Sequence, residues 1–436
     1  MSSALTAFRR SSVVVIFITS FWLSIVFSYY VPMLLLLPLA LVPKVGVKAY
    51  RLIIGWYDVY WGRWACLSVP FSHCRTRLFI EKNGFDLLDE RKGWGDGLML
   101  STHCSRIDWL FGVYIGMVPK HQARIGFVAE VTTALMPIIG WSRYLLGDIL
   151  LQRAFHKDKP RILDNIKEHH DSGVKRLIFL APEGTIADPG IDEAYVADCR
   201  DFMLKLNKKP LTHCLTPRYK GMESFLEHAP TNVMSCVMCF VTGPEACEVD
   251  ASTGAALGGR LCNLSLEDPK RFIPDLHTLF EGDFSIFTSI HVTKISRGDP
   301  AQIKEQLIAD QVIKDDILRT FDKSRKFKGM KSGDDWVRVP AMHVKMNLIL
   351  IAHLFLTMKS IAWAFGVSDI AALWKMAYFV LFTFVFHGTS YSIGMRATDN
   401  TSRESLVGET AIKALLRLIT GRDMNRGGQD ESKKSK

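Results

Sequence analysis

Two short apolar runs constrain this chain more than any other feature. Leu98-Met99-Leu100 leads into Ser101-Thr102-His103, and Leu177-Ile178-Phe179-Leu180 leads through Ala181 into Pro182-Glu183-Gly184-Thr185. Each reads as a buried strand that ends in a polar turn. Similar runs recur at Leu78–Glu81, Arg124–Ala129, Ile149–Leu151, Thr212–Leu215, Val233–Val241 and Phe284–Ile295. Helical patterns fall between them at 159–170, 195–208 and 302–321, Asn83-Gly84 reads as a turn, and 243–270 reads as an irregular excursion. Strands alternating with helices predict an α/β fold, a largely parallel sheet flanked by helices. Ligands of such sheets bind beyond the carboxyl ends of the strands. His103 and Glu183 each directly follow a predicted strand, so both are expected on that one edge.

His103 precedes a predicted helix start, and Asp108 follows five residues later, before the bulky run Trp109–Val113. In one continuous helix this spacing would pair poorly, because neighbours on a helix face lie three or four residues apart. If the chain turns from strand into helix between them, the two side chains can meet. A carboxylate on one ring nitrogen fixes the tautomer and leaves the other nitrogen to take a proton from a hydroxyl. The bland alternative is a satisfied buried histidine beside a helix-capping aspartate, and the pair alone does not exclude it. Cys104 adjoins the histidine but is not needed as a nucleophile. Cys236-x-x-Cys239 sits in an apolar run without a second ligand pair, which argues against zinc. No Gly-x-Ser-x-Gly elbow is present, which argues against an α/β hydrolase.

The 436 residues carry a formal charge of +10 and nine cysteines. A basic balance suits nucleic acid, an anionic membrane surface or a polyanionic substrate. No nucleic-acid motif appears, and the apolar ends favour the membrane. Ser11 to Pro43 holds no charged residue, with Tyr29-Tyr30 and Pro32 in its middle and basic residues at both ends. A helical hairpin dipping into one leaflet fits this pattern, and a single tilted span is the alternative. Residues 45–70 are amphipathic and aromatic, as in an interfacial helix or an ordinary core helix. Two further apolar helices are expected at 346–366 and 373–395. The predicted organisation is an N-terminal membrane hairpin and interfacial helix over 1–70 and a catalytic domain over 71–335. C-terminal transmembrane helices follow over 340–396, then a basic, partly disordered tail over 397–436. The scattered, odd-numbered cysteines suggest a reduced, cytosol-facing protein.

Taken together, these residues resemble the glycerolipid acyltransferases of the lysophosphatidic acid acyltransferase type. His103 to Trp109 resembles that family's first motif, His-x4-Asp, and Leu135 to Trp141 resembles its second, which ends in Pro-x-x-Gly-Trp. Pro182 to Thr185 resembles the third. Thr216-Pro217-Arg218-Tyr219-Lys220-Gly221 resembles a stretch of the eukaryotic branch that includes the lysocardiolipin and lysophosphatidylinositol acyltransferases. The likeness covers about residues 75–322. Thr102, Ala181, Ile186 and Glu130 depart from the usual Asn, Phe, Arg or Asp, and Lys.

The resemblance implies transfer of an acyl group from acyl-CoA to the free hydroxyl of a lysophospholipid, with 1-acyl-sn-glycerol-3-phosphate the foremost acceptor. It makes His103 the general base and Asp108 its partner. Glu183, Gly184 and Thr185 would lie at the acceptor, and Arg106, Arg218 and Lys220 would be candidates for its phosphate. It implies no cofactor besides acyl-CoA as co-substrate, no metal and no nucleic acid. Membrane lipids are the expected surroundings, in the endoplasmic reticulum with the catalytic domain toward the cytosol. Oligomeric state stays open. The alternatives are a remodelling acyltransferase for lysophosphatidylinositol or lysocardiolipin, and a lipid-binding membrane protein that keeps the fold without the chemistry.

Overall fold

The computed structural model describes residues 31–339 apart from 44–45, 58–75, 89–96, 116–123, most of 132–145, 173–175, 189–191, 229–231, 244–247, 263, 294 and 296–298. The expected helices at 346–366 and 373–395, the first part of the apolar N-terminus and the Leu135–Trp141 motif lie outside the described residues. Helices α1 (Val31–Ala40) and α2 (Gly46–Tyr57) are joined through a turn at Leu41–Pro43. Among the described residues, no helix is long and apolar enough to cross a membrane.

The expected α/β architecture is present. In chain order come β1 (Arg77–Glu81), α3 (Lys82–Leu87), β2 (Gly97–Ser101), α4 (Asp108–Ile115), β3 (Arg124–Glu130), β4 (Ile149–Leu151), α5 (Phe155–Ser172), β5 (Arg176–Leu180) and α6 (Glu193–Lys205). After them come α7 (Tyr219–His228), β6 (Asn232–Thr242), the short strands β7 (Glu248–Val249), β8 (Ala256–Leu257) and β9 (Arg260–Leu261), α8 (Leu276–Phe280), β10 (Phe284–Val292), α9 (Pro300–Ser324) and β11 (Trp336–Arg338). The main sheet has the order β11-β1-β10-β6-β2-β5-β3-β4, with β9 paired to β6.

The five strands β6, β2, β5, β3 and β4 run parallel. On the flank β10 and β1 run against them, since β10 pairs antiparallel with β6 and β1 parallel with β10, and β11, antiparallel to β1, runs with the five again. The register gives the reason. Thr242 at the end of β6 faces Phe284 at the start of β10, so the chain leaves and re-enters the sheet at the same end. The excursion after β6 is one long hairpin loop, and a hairpin needs no crossover.

Two local expectations are corrected. Asn83-Gly84 is not a turn but part of α3. A Cβ on Gly84 would come within 2.9 Å of the Ile290 backbone, so the glycine lets the helix lie against β10. Thr212–Leu215 is not a strand. Its backbone donors go to carboxylates, as described below, and none is left to pair with a neighbouring strand.

β2 and β5 are buried along their whole length, as a doubly covered parallel strand should be. Behind them Phe111 of α4 packs at 5.5 Å from Phe240 and 5.8 Å from Phe284, ring centre to ring centre. Burial of one such phenyl contributes about 1.5–3 kcal/mol. This packing anchors the helix whose first residue is Asp108.

Candidate active site

Leu100 of β2 is paired with Leu180 of β5. His103 and Glu183 therefore stand three residues beyond a matched pair, side by side at the carboxyl edge. The His103 backbone N–H donates to Glu183 Oε1 at 3.2 Å. Thr102 fixes the last step of the approach. Its N–H donates to the Cys236 carbonyl at 3.0 Å, and its hydroxyl accepts from the Met238 N–H at 3.2 Å.

From there the chain turns into α4, and the turn brings the pair together. His103 Nδ1 lies 2.9 Å from Asp108 Oδ2. The same oxygen accepts from the Cys104 N–H at 3.1 Å. As the first residue of α4, Asp108 also sits where the helix dipole favours a negative charge. The imidazole is 29% exposed and the carboxylate 6%, so a substrate can reach the ring while its partner stays dry. Burial pushes the Asp108 carboxyl up, and the His103 ring with the backbone amides of Ser105 and Cys104 pulls it back.

Cys104 is buried, and its thiol is pushed far up by burial and by the nearby Glu183 and Asp108. A thiol held protonated is a poor nucleophile.

Glu183 is 2% exposed. Besides His103 it accepts from Gln311 Nε2 at 3.0 Å and from the Leu215 N–H at 3.3 Å. Burial pushes its carboxyl up, against the His103 and Lys314 charges and the two backbone donors. Its hydrogen bonds run into the protein, so it braces the His103 loop. Gly184, at φ +69°, turns the chain beside it, and Arg218 crosses where a side chain would stand. Thr185 is half-buried, with its hydroxyl 3.5 Å from the Ile186 carbonyl.

Of the predicted cations, Arg106 is ion-paired to Asp188 at 2.6 Å. Arg218 is exposed, 5.9 Å over the Tyr195 ring, and its backbone N–H is tied to the Pro182 carbonyl at 2.8 Å. Lys220 is exposed in the first turn of α7. A cation the sequence did not single out is Arg153, just past β4. It pairs with Glu130 at 2.8 Å and lies 3.4 Å from the Gly184 carbonyl.

Two segments far along the chain complete the site. The Pro274 carbonyl, on the excursion, accepts from the Arg106 N–H at 3.0 Å and the Ser105 hydroxyl at 3.1 Å. Asp315 of α9 gathers three successive N–H groups: Thr212 at 2.8 Å, His213 at 2.6 Å and Cys214 at 3.2 Å. No local motif marks Gln311, Pro274 or Asp315, because each acts across more than a hundred residues. Among the described residues, no three His, Cys, Asp or Glu side chains converge as metal ligands would.

A family model described as Acyltransferase matches residues 88–239. The 1-acyl-sn-glycerol-3-phosphate acyltransferase 3 of Arabidopsis thaliana is 23% identical over 189 residues, 43% of this chain and 46% of the relative. The 1-acyl-sn-glycerol-3-phosphate acyltransferase 2 of the same plant is 22% identical over 192 residues, 44% and 46% of the two chains. A probable 1-acyl-sn-glycerol-3-phosphate acyltransferase 5 is 23% identical over 130 residues, 30% and 34%. The chain spans less than half the length of these curated relatives. The comparisons support a glycerolipid acyltransferase of the lysophosphatidic acid acyltransferase type.

Proposed function

We propose that this acyltransferase moves a fatty acyl group from acyl-CoA to the free hydroxyl of a lysophospholipid, 1-acyl-sn-glycerol-3-phosphate foremost. The observation that carries the reading is the 2.9 Å contact between a reachable His103 ring and a buried Asp108 carboxylate. With Nδ1 donating to Asp108, Nε2 accepts the hydroxyl proton as the oxygen attacks the thioester carbon. The carboxylate stabilises the imidazolium that forms. The tetrahedral intermediate collapses, the carbon–sulfur bond breaks, and the CoA thiolate takes the proton back from the ring. A thioester is already activated, so no covalent acyl-enzyme is required, and Cys104 has no part in the chemistry.

Arg218 and Arg153, on either side of Gly184, are the proposed ligands of the acceptor phosphate, with Lys220 beyond them. Guanidinium suits phosphate because it can grip two oxygens at once. Arg106 serves by holding Asp188 and the loop, and Glu183 by holding the base. Thr185 is proposed to meet the acceptor headgroup. Ile186 and Glu130 depart from the Arg or Asp and the Lys of the resembled family, and this keeps lysophosphatidylinositol or lysocardiolipin in view as acceptors. The setting proposed is the endoplasmic reticulum membrane, with the catalytic edge toward the cytosol, where acyl-CoA is dissolved and a net charge of +10 favours polyanions.

The test is thiol release from oleoyl-CoA by membranes carrying wild type or His103→Ala. The three acceptors are lysophosphatidic acid, lysophosphatidylinositol and lysocardiolipin. Acceptor-dependent release that falls by about 10²–10⁴-fold in the variant is expected. Release without acceptor would make the protein a thioesterase. An undiminished variant would move the active site elsewhere.

A further inference from the structure

Helix α9 presents one buried polar stripe to the sheet. Asp310, Gln311, Lys314 and Asp315 are all buried, and their spacing of one, four and five residues puts them on one face. Polar groups in a core are costly unless they are paired, so such a stripe calls for an account. Each member has a partner in or near the active-site edge. Asp310 pairs with Lys314 at 2.9 Å and hydrogen-bonds Ser235 on β6. Asp315 holds the three N–H groups of the loop that leads to Arg218. Gln311, 1% exposed, donates to the carboxylate oxygen that also accepts from the His103 backbone.

We infer that Gln311 is a positioning residue for the general base, acting through Glu183, which its amide holds in place under the His103 loop. The inference rests on His103 being that base. Glu183 is the joint of the arrangement. One of its oxygens is shared by His103 and Gln311, and the other takes Leu215, so a single carboxylate sets the base loop against the loop that carries Arg218. The Gln311 donor favours the anionic form of Glu183, the form that can accept all three hydrogen bonds. The charged and titratable groups that act on it are His103 on the facing loop, Cys104 beside that, Cys214 on the adjoining loop, and Lys314 on α9, itself paired to Asp310. A shift of the base by a fraction of an ångström lowers turnover without changing how substrates bind.

The informative variant is Gln311→Glu, which keeps the shape and replaces the amide donor by a titratable oxygen. At acidic pH the new carboxyl is protonated and donates to Glu183 as the amide did. As pH rises the shared proton is lost, two carboxylates face each other, and the brace fails. The expected profile is near wild-type turnover at acidic pH and a kcat loss of about 10–100-fold by pH 8, with KM for acyl-CoA within about twofold. Gln311→Met, which never donates, should be slow at every pH. The full-length protein also allows a readout without turnover. The rate of diethyl pyrocarbonate modification of His103, followed by peptide mass spectrometry, should rise with pH in Gln311→Glu relative to wild type. A Gln311→Glu profile that parallels wild type in both measurements overturns the inference, even if only the melting temperature falls. If wild type shows no His103-dependent acyl transfer but the modification ratio still titrates, the functional reading fails, and what stands is that Gln311 sets the His103 loop through Glu183.

Discussion

A methyl group on residue 184 would meet Arg218 Cδ at 2.8 Å, and the backbone there already holds φ +69°. Glycine is required for both reasons. Gly184→Ala should cost about 1–2 kcal/mol in conformational strain and push the Arg218 arm away from the turn. If Arg218 binds the acceptor, KM for the lysophospholipid should rise several-fold while kcat stays within about threefold, since the atoms the new methyl meets belong to Arg218 and not to His103. Steady-state kinetics in both substrates would check this. A fall in kcat with unchanged KM would take Arg218 out of acceptor binding. His103 and Asp108 were legible in the sequence because the strand–turn–helix path could be read from Leu98 to Val113. The inward turn of Glu183 was not legible, because the partners that draw it in, Leu215 and Gln311, are remote.

At the scale of elements, α9 acts as the strut of the edge that carries His103 and Glu183. Burial alone would push Asp310 up, but Lys314, His291 and Ser235 outweigh it and hold the carboxyl at about 2. A carboxyl depressed in the folded state gives stability that is full above the unfolded value of about 4. That stability, about 2 kcal/mol, is lost as pH falls toward about 2. Asp310→Asn leaves Lys314 buried without its ion-pair partner and should destabilise the protein by about 3–5 kcal/mol at neutral pH. It should also flatten the acid limb of a denaturation curve between pH about 4 and 2. An acid limb identical to wild type would rule out Asp310 as its source. The buried strands were readable because unbroken apolar runs have one stable home, the middle of a covered sheet. Thr212–Leu215 misled because its composition suits a strand while its donors are taken by Asp315 and Glu183. Glutamine or aspartate inside a long charged helix gives no such signal, and the stripe on α9 showed only once the helix was docked.

For the whole molecule, the proposed orientation makes a simple statement about chemistry on the wrong side of a membrane. The sequons Asn263-Leu264-Ser265 and Asn400-Thr401-Ser402 should stay unmodified if both regions face the cytosol. A glycosidase-sensitive mass shift abolished by Asn263→Gln would reverse the topology. The hairpin excursion between β6 and β10 carries a different consequence. The groups that hold the His103 loop are Asp108 within it, then Glu183, Cys236, Pro274 and, through Glu183, Leu215 and Gln311. All but the first lie 80 or more residues downstream. Contacts of that separation form late, because loop-closure entropy must be overcome before they contribute. A chain emerging from the ribosome has β2 and β5 complete before α9 exists, and its His103 loop lacks the hold that Gln311 exerts through Glu183 until α9 has been made and has docked. The surroundings of His103 are therefore among the last parts of the fold to mature, and a chain halted before α9 lacks Gln311's hold on Glu183.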